Sequence, residues 1–94
     1  MTREELLIKL RELKPWLEEQ GIVNVRLFGS YARDEAGPDS DVDLLVETSK
    51  PLGFQFFSIE RELSAKLGAT VEMGSEEGMH RLVRKQAMRD LLHV

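Results

Sequence analysis

The 94-residue sequence contains no cysteine, which removes disulfide frameworks, thiolate zinc sites and cysteine nucleophiles from consideration at once. Basic charge is not in excess either: 13 Lys and Arg stand against 17 Asp and Glu, for a net charge of −4. Bulk attraction to nucleic acid is therefore disfavoured, although a local basic face is still allowed. No apolar run approaches the roughly 20 residues that cross a bilayer, and neither end carries a signal-peptide or lipidation pattern. Internal repeats, linkers and low-complexity tracts are absent as well. What is present, 41% hydrophobic and 32% charged residues, is the composition of a water-soluble globular chain. The length suits one domain over residues 1–94, and the expected location is the cytoplasm.

Leu6, Leu10, Leu13 and Leu17 recur at helical spacing, Leu7 widens the stripe, Thr2 and Glu5 are spaced as a capping box and Gly21 is the stop. Pro15 predicts a kink or a restart near residue 14, because it removes one internal hydrogen bond and crowds the carbonyl of Arg11. Residues 23–28 alternate as a strand would (Val23, Val25, Leu27) and run into Gly29-Ser30. Residues 30–35 have room for one or two helical turns before Gly37-Pro38-Asp39-Ser40, which must be loop. A second strand is expected at 41–48, its apolar run Val42, Leu44, Leu45, Val46 suiting burial on both faces. A helix over about 53–67 follows, with Phe56, Ile59, Leu63 and Leu67 on one face and Gly68 as its stop. Phe54 and Phe57 are assigned to the core. Then come a short strand at 69–73 and a last helix from the cap candidate Ser75, with Met79, Leu82, Val83, Ala87 and Leu91 facing inward. This order predicts an α/β fold: a small mixed sheet of three or more strands packed by about four helices.

The chemistry concentrates in Phe28-Gly29-Ser30, ten intervening residues, and Asp41-Val42-Asp43-Leu44. Strand side chains alternate, so Asp41 and Asp43 share a face while Val42 points the other way. Two carboxylates this close repel unless a cation lies between them, and hard oxygen ligands select Mg²⁺ or Mn²⁺. Gly29 lets the backbone approach a ligand, and free amides at a helix start, with the Ser30 hydroxyl, can cradle a phosphate. Arg33, one turn on, can neutralise a phosphate oxygen or anchor the acids. Together these parts describe metal-assisted phosphoryl or nucleotidyl transfer. At ordinary residue usage, the four polar positions arise by chance with a probability on the order of 0.006, and requiring apolar Phe28, Val42 and Leu44 lowers this to roughly one in a thousand.

These residues, Leu27-Phe28-Gly29-Ser30-Tyr31-Ala32-Arg33 and Pro38-Asp39-Ser40-Asp41-Val42-Asp43-Leu44-Leu45-Val46, resemble the DNA polymerase beta superfamily. The resemblance is strongest to its minimal nucleotidyltransferases and extends over essentially the whole chain. It implies that Gly29 and Ser30 hold a nucleoside triphosphate such as ATP, and that Asp41 and Asp43 bind two Mg²⁺ ions. It also implies a third carboxylate on the neighbouring strand, for which Glu72 is the candidate, one methylene longer than the usual Asp. Such minimal domains are similar to the antitoxin halves of two-component modules whose other half is a HEPN-domain ribonuclease. There the antitoxin transfers AMP to a tyrosine of the toxin, or binds and blocks it. The expected function is thus a Mg²⁺-dependent protein adenylyltransferase acting on a HEPN toxin. The alternatives are a non-catalytic antitoxin that occludes its partner and a nucleotidyltransferase for a small molecule or an RNA end.

Other residues carry blander expectations. Asp39 reads as a turn former rather than a ligand, and Tyr31 as a packing or surface residue. Trp16 covers the first helix's core face. His80 and His93 lack partners at metal-ligand spacing. Arg81, Arg84, Lys85 and Arg89 form a basic strip at helical spacing, usually a solvated face.

Overall fold

A computed structural model of the chain describes residues 1–75 and 91–94. Helix α1 (Arg3–Glu19) opens on Thr2, whose hydroxyl accepts from the Glu5 amide at 3.1 Å. It continues through Pro15 for 17 residues, so of the kink or restart expected there the restart does not occur. The buried stripe Leu6, Leu10, Leu17 outweighs the single hydrogen bond that the proline removes.

Strand β1 (Ile22–Phe28) pairs antiparallel with β2 (Val42–Thr48), and the register slips between Val23 and Arg26. Asn24, at φ 49°, occupies this bulge and donates from Nδ2 to Glu47 Oε2 at 2.8 Å. The extra residue shifts the alternation by one. As a result Ile22, Val25 and Leu27 all reach the core, and Val23, expected there, is only half-buried. The second strand starts at Val42, one residue later than the pattern suggested, which leaves Asp41 at its threshold.

Helix α2 (Gln55–Leu67) buries Ile59, Leu63 and Leu67 and ends on Gly68 in the left-handed conformation, as the spacing predicted. Phe54 and Phe57 do not join the core: they are 91% and 61% exposed. The helix starts later than expected, and its inward stripe is set by Phe56, Ile59 and Leu63, which turns Phe57 outward and leaves Phe54 before the first turn.

Strand β3 (Val71–Ser75) runs parallel to β2, and β4 (Leu92–His93) pairs antiparallel with β1. The four-stranded mixed sheet has the order β3-β2-β1-β4. Ser75, read as a helix cap, instead ends β3. Leu91 was assigned to the last helix and immediately precedes β4, which the helical pattern concealed. Residues 30–34 form a single turn rather than a helix, so two helices, not four, stand among the described residues. The last helix and the strip Arg81, Arg84, Lys85, Arg89 lie outside the described residues, as does His80.

Leu6, Leu10 and Leu17 of α1 and Ile59, Leu63 and Leu67 of α2 pack with Leu27, Val42, Leu44, Val46, Val71 and Met73 into one cluster. Both helices therefore cover the same face of the sheet. Trp16 packs against this cluster, and Lys66 Nζ stands 4.9 Å from its ring centroid. Tyr31 is buried in the core. Asp43, paired with Glu72, and Arg26, paired with Leu45, belong to the opposite face. No described helix is long and apolar enough to cross a membrane.

Candidate active site

The site is built where β1 ends. Phe28, the last residue of β1, pairs with Asp43, and Asp43 pairs on its other side with Glu72. The two acids face the same way because they are directly opposite on parallel strands. Asp41 precedes the strand by one residue and lies two before Asp43, close enough for its charge to act on that carboxyl.

Gly29 turns the chain away from the strand at φ 78°. A Cβ there would sit inside contact distance of Asp43 Oδ2 and 3.2 Å from Asp43 Cγ. Glycine is thus required twice at this position, for the left-handed backbone and for the space that the Asp43 carboxylate fills. After it, the Arg33 amide donates to the Gly29 carbonyl at 3.1 Å and the Glu35 amide to the Ser30 carbonyl at 2.8 Å. This compact turn holds the half-buried Ser30 directly beside Gly29. Arg33 is exposed, and its Nε binds Glu35 Oε2 at 3.0 Å. Its positive charge reaches Asp43 and, among the described residues, is the one influence there that favours ionisation.

The balance at Asp43 goes the other way. Its carboxyl is raised from the ordinary 3.8 to about 6, first by desolvation, then by the charges of Glu72 and Asp41 and by a side-chain hydrogen bond with Glu72. Acids gathered so closely that Asp43 resists ionisation make a place where a cation would be favourable. Among the described residues no three acidic or imidazole side chains form a ready-made metal cage. Mg²⁺ does not need one, because it commonly takes one or two carboxylates and completes its shell with phosphate oxygens and water. The hard oxygens of Asp41, Asp43 and Glu72 fit that cation in kind.

The expected site residues are accordingly brought together: Gly29, Asp43 and Glu72 meet, Ser30 adjoins them, and Asp41 and Arg33 lie within electrostatic reach. Asp39 is exposed in its turn, where the Gly37 amide donates to Ser40 Oγ at 2.8 Å. His93 lies in β4 opposite Arg26. Glu60 and Ser64 of α2 were not read as site-related, yet their side chains bind the backbone on either side of Glu72. Their four-residue spacing on a helix was the available signal, but only the tertiary structure shows what that face meets.

Known proteins share the sequence pattern and the fold. A family model described as a nucleotidyltransferase domain matches residues 5–92. The protein adenylyltransferase MntA of Thermococcus cleftensis is 34% identical over 96 residues, which cover 100% of this chain and 97% of that protein. A solved structure, provisionally named a minimal nucleotidyltransferase, superposes with a TM-score of 0.82 at 34% identity, covering 100% of this chain and 97% of the other. More distantly, the fold matches a complex of a tri-AMPylated Shewanella oneidensis HEPN toxin with an MNT antitoxin, at a TM-score of 0.60 and 17% identity, covering 97% of this chain and 66% of that one.

Proposed function

Because the chain belongs to the nucleotidyltransferase domain family, we propose that it transfers AMP from ATP to a hydroxyl of a partner protein, with Mg²⁺ assisting. The observation that carries this reading is the meeting of Asp43 with Gly29 and Glu72, a phosphate-compatible turn set against paired carboxylates. The 34% identity to a protein adenylyltransferase over the whole chain supports AMP as the transferred group.

In this reading the Ser30 hydroxyl and the backbone at Gly29 receive the phosphates of the nucleotide, close approach being possible because Gly29 has no side chain. Arg33, whose charge already acts on Asp43, supplies positive charge to the phosphate oxygens. Asp41 and Asp43, joined by Glu72, would hold the cation. When bound, Mg²⁺ supplies charge neutralisation at the α-phosphate and at the leaving pyrophosphate. An acceptor hydroxyl then forms the new bond to the α-phosphorus, the bond to the β-phosphate oxygen breaks and pyrophosphate departs. The hydroxyl proton passes to a carboxylate of the Asp43–Glu72 pair, which must be ionised to accept it.

The acceptor we assign is a tyrosine on a HEPN-domain ribonuclease, so that the protein acts in the cytoplasm as the antitoxin of a two-component pair. The structural likeness to an MNT antitoxin held by a tri-AMPylated HEPN toxin supports this choice. Incubating the protein with ATP, Mg²⁺ and its cognate HEPN partner should add AMP to a partner tyrosine, read by mass spectrometry. The Asp41→Asn/Asp43→Asn double variant should add none. A partner left unmodified by the wild type, yet still inhibited by it, would replace this reading with neutralisation by occlusion.

A further inference from the structure

Glu72 lies on an edge strand of the sheet that the described residues form, where β3 stands outermost beyond β2. An edge strand has amides on its outer side that the sheet does not satisfy. Here two side chains of α2 take them up. Ser64 Oγ accepts from the Val71 amide at 2.9 Å, and Glu60 Oε2 accepts from the Met73 amide at 2.7 Å. Val71 and Met73 are the two residues that flank Glu72. The hooks are themselves linked, because the Ser64 hydroxyl donates to the Glu60 carbonyl at 2.9 Å. The Ser64 carbonyl in turn accepts the Gly68 amide at 2.9 Å and the Ala69 amide at 3.3 Å, closing the turn from α2 into β3.

From this arrangement we propose that Glu60, supported by Ser64, is a positioning residue for the transfer reaction: it fixes the height of β3 against α2 and so sets where the Glu72 carboxylate stands relative to Asp43. The inference rests on the proposed role of Glu72 in the site. The physical need is specific to this chain. Glu72 carries its carboxylate on a longer, more mobile arm than an Asp would, and a displacement of about 1 Å at a reacting centre costs up to a hundredfold in rate. A backbone held on both sides offsets that freedom. A charged acceptor is also the stronger partner for an edge amide than a neutral one. Among the described residues the Glu60 carboxylate bonds to the Met73 amide, so its effect passes through β3.

The test compares Glu60→Ala, Glu60→Gln and Glu72→Ala, alone and combined, in AMP transfer from Mg²⁺-ATP to the cognate partner well below the melting temperature. Glu60→Ala should lower kcat by about 10- to 100-fold while KM for ATP stays within about twofold, because Gly29 and Ser30 are untouched. Glu60→Gln keeps an acceptor oxygen for the Met73 amide and should stay within about threefold of wild type. Hydrogen exchange at the Met73 amide should rise in Glu60→Ala and return toward wild type in Glu60→Gln. In a Glu72→Ala background, adding Glu60→Ala should change nothing further. The inference alone fails if Glu72→Ala is slow while Glu60→Ala keeps wild-type kcat, or if the two losses simply multiply. Wild-type transfer by Glu72→Ala would overturn the role of Glu72 itself, and this inference with it.

Discussion

Asp43 sits in a conflict that the rest of the site explains. Desolvation and the charges of Glu72 and Asp41 oppose its ionisation, and Arg33 only partly restores it, so that its carboxyl titrates at about 6 rather than 3.8. A raised acid binds more protons in the folded than in the unfolded chain between those two values. The contribution of Asp43 to stability is therefore greatest below about pH 4, falls as pH rises toward 6, and stays reduced above it. The half-exposed carboxyl is partly screened by water, which makes the loss smaller than the shift alone would give. Asp43→Asn should melt a few degrees above wild type at pH 7, and the gap should close near pH 4. Calorimetry across that range checks it, and a gap that widens toward low pH would contradict the sign. The same residue shows what one position's chemistry could and could not announce. Asp41-Val42-Asp43 declared two acids on one face through strand alternation. That Asp41, rather than Asp43, would remain at the strand's threshold depended on where pairing with β1 and β3 began.

At the scale of elements, glycines at the ends of β1 and α2 separate two effects that look alike in sequence. Gly29 and Gly68 have nearly the same backbone, at φ 78° and 71°, so an alanine at either meets about 1–2 kcal/mol of left-handed strain. A Cβ at Gly68 meets nothing within 4 Å, whereas at Gly29 it meets the Asp43 carboxylate. Gly68→Ala should therefore lower the melting temperature by about 4–16 °C, that strain multiplied by the usual 4–8 °C per kcal/mol, and leave nucleotide binding intact. Gly29→Ala should lose more stability and abolish binding, since Asp43 must move. Equal nucleotide affinity in the two variants would show that the Gly29–Asp43 contact is unimportant. Helix α1 and the stop of α2 were legible because their signals are local: a leucine stripe, a capping pair, a glycine after the last turn. The bulge at Asn24, the exposure of Phe54 and Phe57 and strand β4 were not. Each depends on which partner an element meets, and an aromatic residue just before a helix reads the same whether or not a neighbour arrives to cover it.

Across the described residues, both helices cover one face of the sheet, and Asp43 and Glu72 stand on the other. A ligand that binds there favours the folded chain by mass action. Mg²⁺ with ATP, at a hundredfold excess over Kd, should stabilise by about 2.7 kcal/mol, a rise of about 10 °C or more for a chain of this size. The Asp41→Asn/Asp43→Asn variant should show no rise, and an equal rise in both would remove the acids from the ligand site. The family could be read from sequence because Gly29-Ser30 and Asp41-Val42-Asp43 are each a contiguous run, and short-range backbone geometry already settles which side chains within a run point together. Glu72 could be named as a candidate by its strand, but its meeting with Asp43 required β2 and β3 to pair in parallel with that register. The hold of Glu60 and Ser64 on β3 required, in addition, that α2 fold back along the sheet edge. Sequence alone determined the stripe and cap of α1, the stop of α2 and the chemical inventory, since those rest on neighbours along the chain. The tertiary structure decided which acids meet and what braces them, because those contacts join residues that only folding brings together.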